Sequence, residues 1–189
     1  MLDIQKIDKS WTLFLDRDGL INVEIQGDYV LSWDGFTFMP GVKEALKTLN
    51  PLFGNIIIIT NQRCIAKGML TFGGLNMIHD NMLKEIKSAG GRIDKIYVCA
   101  DLEDSSPNRK PNPGMAFQAN NDFKNIDFAK TIMIGNKLSD MQFGRNAGVH
   151  TVFAATTNPD TPFPHPLIDM RVDGLLEFAL KIQKQKFKI

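Results

Sequence analysis

The sequence predicts an α/β protein built on a doubly wound, mostly parallel sheet with helices on both faces. Three observations carry this. Four short apolar runs, Thr12–Leu15, Ile56–Ile59, Lys95–Cys99 and Thr131–Ile134, each end in a polar cluster, and a fifth, Thr151–Ala154, follows Gly148. They are β-rich and apolar on both faces, as parallel strands covered from both sides must be. Helical patterns at about 41–49, 74–89, 113–123 and 139–147 separate them. Strands alternating with helices through short loops give parallel pairing.

The elements follow in order. The first strand runs into Asp16-Arg17-Asp18-Gly19. Segment 19–40 lacks periodicity and is expected to be a long functional loop, with a short hairpin around Tyr29–Phe38. Pro40-Gly41 introduces the first helix and Gly90-Gly91 closes the second. Pro113 fits the first turn of the third helix, and Ser139-Asp140 fits the N-cap region of the fourth. Residues 156–167, rich in proline, are expected to run extended over the surface before a last helix at 174–185 packs back on the sheet. The whole of 1–189 is expected to form one domain, with 156–189 as an extension packed on it.

Composition narrows the function classes. With 22 basic and 21 acidic side chains, the chain lacks the general basic field of a nucleic-acid binder. Its one basic cluster, Lys181, Lys184, Lys186 and Lys188, fits a solvated helix face. Cys64 and Cys99 are too few for a disulfide framework and suit a reducing cytosol. No apolar run approaches the roughly 20 residues of a membrane span, and the N-terminus has no signal-peptide core. A cytoplasmic protein, a monomer or weak homodimer without nucleic-acid or membrane partners, is expected.

The chemistry sits where the strands end. In a parallel sheet, ligands bind outside the carboxyl ends of the strands, and four polar clusters fall there: Asp16–Gly19, Thr60-Asn61-Gln62, Asn108-Arg109-Lys110-Pro111 and Gly135–Asp140. Each alone could be a turn or a solvated loop. As an ordered set they supply a phosphoryl-transfer site. Asp16 can carry the phosphoryl group as an aspartyl-phosphate. Asp18, two residues on and therefore on the same side of extended backbone, can protonate the leaving oxygen and then deprotonate water. Gly19 lets the chain turn past a bound phosphate. Thr60 and nearby N–H groups can hold phosphate oxygens, Lys110 brings a cation, and a carboxylate near 136–140 would complete a Mg²⁺ site.

This set resembles the haloacid dehalogenase (HAD) superfamily of phosphatases, whose four motifs correspond to Asp16-Arg17-Asp18-Gly19, Thr60, Lys110 and Gly135…Asp140. Leu13-Phe-Leu-Asp-Arg-Asp-Gly-Leu-Ile-Asn22, Thr60-Asn-Gln62, Ala66-Lys-Gly68, Arg109-Lys-Pro-x-Pro-Gly-Met115 and Lys137-Leu-Ser-Asp-Met141 look like the capless branch, which acts on heptose bisphosphates and histidinol phosphate. The resemblance covers residues 11 to 155 and implies a HAD-like Rossmannoid fold without a cap domain. It implies that Asp16 is nucleophile and Mg²⁺ ligand, and that Asp18 is acid/base and binds metal through its main-chain carbonyl. It further implies that Thr60, Asn61 and Gln62 belong to the phosphate site, that Lys110 stabilises the phosphoryl group, and that Arg109 contacts substrate. Loop 20–30 would frame the leaving group.

Three departures matter. Where the family has Asp after the fourth-motif Gly, this chain has Asn136, whose amide oxygen can bind a hard cation but adds no charge. A low-affinity Mg²⁺ site is expected, with Asp140 in the metal's water shell or moving inward. Relatives carry a structural zinc on Cys-x-His and Cys-x-Cys. The corresponding positions here are Cys99-Ala-Asp101 and Ser106-Pro-Asn108, so one ligand of four remains and no structural Zn²⁺ is expected. Arg63-Cys64 stands where relatives have small residues, and Arg63 is either solvent-facing or a cation for the substrate's distal phosphate or carboxylate. The expected activity is Mg²⁺-dependent hydrolysis of a small phosphorylated metabolite, a heptose bisphosphate first. Histidinol phosphate and a catalytically weak phospho-ligand binding domain stay open, as does phosphate transfer to an alcohol.

Overall fold

The computed structural model describes residues 2–186; Met1 and the tail's Lys188 lie outside them. Strands β1 (Thr12–Leu15), β2 (Asn55–Asn61), β3 (Lys95–Cys99), β4 (Thr131–Gly135), β5 (His150–Ala154) and β6 (Met170–Val172) form a single six-stranded sheet in the order β3-β2-β1-β4-β5-β6. Every pair is parallel. The connections carry α1 (Val42–Leu49), α2 (Arg63–Ala66), α3 (Phe72–Ser88), α4 (Gly114–Asp122), α5 (Leu138–Ala147) and, after β6, α6 (Leu175–Lys186). This is the α/β doubly wound arrangement the sequence predicts, and among the described residues no cap stands over the sheet's C-terminal end.

The two-residue alternation of a strand explains how one apolar run serves two cores. Leu13 and Leu15 point to one face, where Ile56, Ile58, Ile132 and Ile134 meet α1, α3 and α6. Phe14 points to the other, where Ile57, Ile59 and Met133 meet Met115 and Ala119 of α4 and Phe143 of α5. Because β1 is central, its four residues are buried on both sides.

Differences from the expected elements have local causes. β2 extends beyond the isoleucine run at both ends because its polar residues still find partners; Asn55 Nδ2 donates to Thr12 Oγ1 at 3.1 Å. The hairpin expected around Tyr29–Phe38 does not form. The pairing joins the loop's ends instead: Val23 N donates to Thr37 O at 2.8 Å and Met39 N to Ile21 O at 2.9 Å. The sequence between is folded over Trp33, Phe36 and Phe38, whose rings pack 5.0 to 6.4 Å apart. Helix α5, expected at 139–147, is capped at Lys137, with Asp140 one turn inside rather than at the cap. Residues 156–167 turn back through the Arg171 guanidinium, which donates to Pro159 O and Thr161 O. Their return adds β6.

The order reverses at β1, so its C-terminal end opens a crevice against β4. Asp16 follows β1 immediately and its N–H donates to Ile134 O at 2.9 Å, which fixes its main chain at the mouth. Since Phe14 fills the α4–α5 side of this central strand, Phe14→Ala should lower unfolding free energy by about 3–5 kcal/mol. A fall in urea midpoint at unchanged m-value is the expected readout.

Candidate active site

The four polar clusters meet at the crevice. The Lys110 ammonium lies between two carboxylates, 2.7 Å from Asp16 Oδ1 and 2.6 Å from Asp140 Oδ1. All three side chains are buried. Asn61, at the end of β2, holds the main chain that delivers this lysine: its Nδ2 donates to Lys110 O and its Oδ1 accepts from Lys110 N, both at 3.1 Å. Asp140 accepts from Lys137 N at 3.0 Å through its other oxygen, so it anchors Lys110 and the start of α5 together.

Asp18 sits in a cage of donors. Arg17 Nη2 reaches its two oxygens at 2.9 and 3.0 Å, Asn22 Nδ2 donates at 2.9 Å and Gln62 Nε2 at 2.7 Å. Arg17 is itself fully buried and meets His79 Nε2 at 3.1 Å through Nη1. Gln62 also donates to Thr60 Oγ1 at 3.0 Å.

Outside this core opens a cavity of about 760 Å³. Asp16, Asp18 and Lys110 line its floor, Arg63 and Arg109 one wall, and residues of loop 20–30, among them Glu24 and Tyr29, another. Thr60, Gln62 and Asn136 lie behind this surface. Contacts from outside tether the loop: Lys67 Nζ donates to Tyr29 Oη at 2.9 Å, Lys137 pairs with Glu24, and Asn136 Nδ2 donates to Glu24 Oε2 at 3.2 Å.

The HAD-hydrolase-like family model matches residues 107–162. D-glycero-beta-D-manno-heptose-1,7-bisphosphate 7-phosphatase of Escherichia coli K12 is 34% identical over 183 residues, covering 92% of this chain and 94% of that protein. The alpha-anomer enzyme of Mycobacterium tuberculosis H37Rv is 31% identical over 173 residues, covering 91% of each. The D,D-heptose 1,7-bisphosphate phosphatase of B. bronchiseptica, solved with magnesium and phosphate, superposes with a TM-score of 0.84 at 28% identity, covering 93% of this chain and 99% of that one. The chain belongs to the HAD phosphatase family. It is a phosphatase.

In this HAD phosphatase the electrostatics of the two motif-one aspartates are opposite. Burial and the Asp140 charge push the Asp16 carboxyl up to about 7 against the pull of Lys110. Burial would raise Asp18 too, but the Arg17 guanidinium, Asn22 and Gln62 hold it below the ordinary carboxylate range. Burial and Arg17 bring His79 down to about 4, so it meets Arg17 as a neutral acceptor. The difference between the aspartates is one of charge balance. Asp18 has a cation to itself, whereas Asp16 and Asp140 share one, so that ionising Asp16 places an uncompensated negative charge in a buried place.

That charge is one of two signs that a hard cation fits. The other is Asn136 Oδ1, buried with no protein hydrogen bond, while its Nδ2 donates to Thr157 Oγ1 at 2.6 Å and Glu24 Oε2 at 3.2 Å. Asp16, the Asp18 carbonyl and Asn136 Oδ1 offer the all-oxygen set that suits Mg²⁺. Asp140, also expected among the donors, has both oxygens engaged by Lys110 and Lys137.

Around Cys99, Asp101, Ser106 and Asn108, where the resemblance led to no structural Zn²⁺ being expected, hydrogen bonds fix the loop. Cys99 Sγ and Ser106 Oγ donate to Asp101 Oδ2, and Asn112 Nδ2 donates to Asp104 O and Ser106 O, both at 2.9 Å. Burial pushes the Cys99 thiol up. Among the described residues no group of three or more His, Cys, Asp or Glu is placed to hold a metal, and no helix is long and apolar enough to cross a membrane.

Sequence reasoning passed over Thr157 and Asn158, which brace Asn136 from the proline-rich run; Asn158 Nδ2 donates to Asn136 O at 2.9 Å. No sequence signal marks them. It also passed over Arg17 as the partner of Asp18, although a cation between two acids is itself a signal.

Gly19 is required twice. Its φ is +85°, and a Cβ there would lie 2.1 Å from Asn136 Nδ2. Gly19→Ala should therefore lose about 1–3 kcal/mol from backbone strain alone, and displace Asn136. Urea unfolding should show the first effect and a fall in phosphate release the second.

Proposed function

We propose that this phosphatase removes the terminal phosphate of a heptose bisphosphate by a Mg²⁺-dependent route through an aspartyl-phosphate. The observation that carries the mechanism is the Asp16 carboxylate. Lys110 holds Oδ1, and Oδ2 accepts no protein hydrogen bond among the described residues, so one oxygen is fixed and the other is free to attack. The attack forms an Asp16 Oδ–P bond as the bond from phosphorus to the leaving oxygen breaks. Asp18 gives that oxygen its proton. Water then attacks phosphorus, Asp18 takes the water's proton, and inorganic phosphate leaves with Asp16 restored.

The donors around Asp18 favour its carboxylate, the form that accepts a proton from water. An arriving phosphate dianion raises its proton affinity by like-charge repulsion and prepares the donor form. Lys110 steadies the charge developing on the phosphoryl group. Bound Mg²⁺ would supply Lewis-acid neutralisation of the phosphoryl oxygens, held by Asp16, the Asp18 carbonyl and Asn136, with Asp140 acting through Lys110. Thr60 keeps its hydroxyl proton for a phosphate oxygen, and Asn61 and Gln62 position Lys110 and Asp18.

The relatives' names support a heptose bisphosphate, with both anomers among them. The rim supports a second anion over the amine of histidinol. Of the carboxylates lining it, Glu24 is paired with Lys137 and Asp104 with Arg63 and Arg109, whereas Asp28 accepts from Tyr29 N and is left for an amine.

Phosphate release should be measured with heptose 1,7-bisphosphates of both anomers, fructose bisphosphate and histidinol phosphate at millimolar Mg²⁺. Turnover confined to heptose bisphosphate, and abolished in Asp16→Asn, is expected. Turnover that persists in Asp16→Asn rejects the nucleophile, and a preference for histidinol phosphate rejects the substrate. Silence on every substrate returns the weight to a binding domain.

The metal has its own test. Asp16 is raised above its ordinary 3.8 to about 7, so in metal-free protein its contribution to stability is present at low pH and lost as pH climbs through that interval. A bound cation reverses the loss. The rise in Tm on adding Mg²⁺ should be larger near pH 8 than near pH 5. Equal shifts at both would remove Asp16 from the metal site. Asn136→Asp should tighten Mg²⁺ by about tenfold through the added charge, while lowering the metal-free Tm by placing a carboxylate against Glu24.

A further inference from the structure

The cavity wall carries a cationic pair that chemistry at Asp16 does not use. Arg63, the first residue of α2, and Arg109, just before Lys110, both donate to one carboxylate oxygen, Asp104 Oδ1, the Arg109 Nε contact being 3.1 Å. The three partners are unequally exposed. The Asp104 side chain is 85% exposed, those of Arg63 and Arg109 only 30% and 11%.

The guanidiniums are also held from behind. Arg63 Nη2 donates to Leu102 O at 2.7 Å and Arg109 Nη1 to Asp101 O at 3.3 Å, so main chain fixes them whether or not Asp104 is present. Arg63 Nε is buried and has no hydrogen-bond partner among the described residues. Two positioned guanidiniums line a cavity shared with the nucleophile, and a solvated carboxylate occupies the place between them.

Resting on the bisphosphate reading above, we propose that Arg63 and Arg109 form a second anion subsite for the phosphate that is not hydrolysed, and that Asp104 occupies it as an internal competitor until substrate arrives. A phosphomonoester dianion brings three acceptor oxygens and nearly two charges where Asp104 brings two oxygens and one. Only a group that binds the pair better than a carboxylate gains by entering. Asp104 thereby keeps weak anions off the rim and loosens the hold on the sugar monophosphate product, which retains that phosphate.

The test is equilibrium binding by calorimetry in the full chain carrying Asp16→Asn, so that nothing turns over. Two probe pairs are compared: heptose 1,7-bisphosphate with heptose 7-phosphate, and fructose 1,6-bisphosphate with fructose 6-phosphate. The readout is the selectivity ratio, Kd of the monophosphate over Kd of the bisphosphate. Losing one charge-assisted contact should lower it by about tenfold in Arg63→Gln. Removing the competitor should raise it severalfold in Asp104→Asn. Asp104 is exposed, so this variant is expected to fold.

A ratio that falls in Asp104→Asn would make the carboxylate a brace for the arginines and overturn the competitor. A ratio unmoved by Arg63→Gln in both sugar pairs would overturn the subsite, leaving the substrate assignment to stand on its own phosphate-release assay. Shifts seen with the fructose pair alone would keep the subsite and reject heptose.

Discussion

A single ammonium, that of Lys110, holds together the end of the sheet where the chemistry lies. It joins β1 through Asp16 to the start of α5 through Asp140, while Asn61 clamps the main chain that carries it. Buried charges of this kind are weak evidence for net stability, since desolvation offsets much of their attraction, but losing one partner leaves another uncompensated. The constraint is therefore on arrangement. Two carboxylates far apart in sequence must arrive within hydrogen-bond distance of one nitrogen whose main chain Asn61 holds, and the parallel order of β2, β1 and β4 is what brings their C-terminal ends side by side.

The sheet was legible because its signal is collective. Five apolar runs of similar length, four of them closed by a polar cluster, leave few alternatives to a parallel sheet, and the alternation of Leu13, Phe14 and Leu15 between two faces follows directly. What was not legible is short or non-periodic. β6 has three residues of which only Val172 is buried, and α2 has one turn. The hairpin expected around Tyr29–Phe38 had no periodicity behind it, and the mutual packing of Trp33, Phe36 and Phe38 folds the segment into a loop closed at its ends.

At the site, sequence gave the residue types and their order but not who uses each donor and acceptor. Asn61, Gln62 and Asp140 have the right chemistry to touch phosphate or metal. In the fold, their polar atoms are engaged by Lys110, Asp18, Thr60 and Lys137. A side chain's capacity can be read from its type, whereas its occupation depends on neighbours that the chain brings from elsewhere. The same holds for His79, which a helical pattern could place on a surface or in packing, and which lies buried against Arg17.

Asn136 shows how one substitution sits within such a network. Its Nδ2 donates to Thr157 and Glu24, and Glu24 is paired with Lys137, so the amide belongs to a chain of contacts running from the proline-rich run to loop 20–30. A carboxylate there would lose the donor that both partners accept from and would face the Glu24 charge. Asn136 thus exchanges charge at the crevice for a tether on the loop that walls the cavity. With no cap above the sheet, that loop and the Arg63–Asp104–Arg109 wall are what surround a ligand. The residue that most departs from the family pattern is also one that holds the substitute for a cap in place.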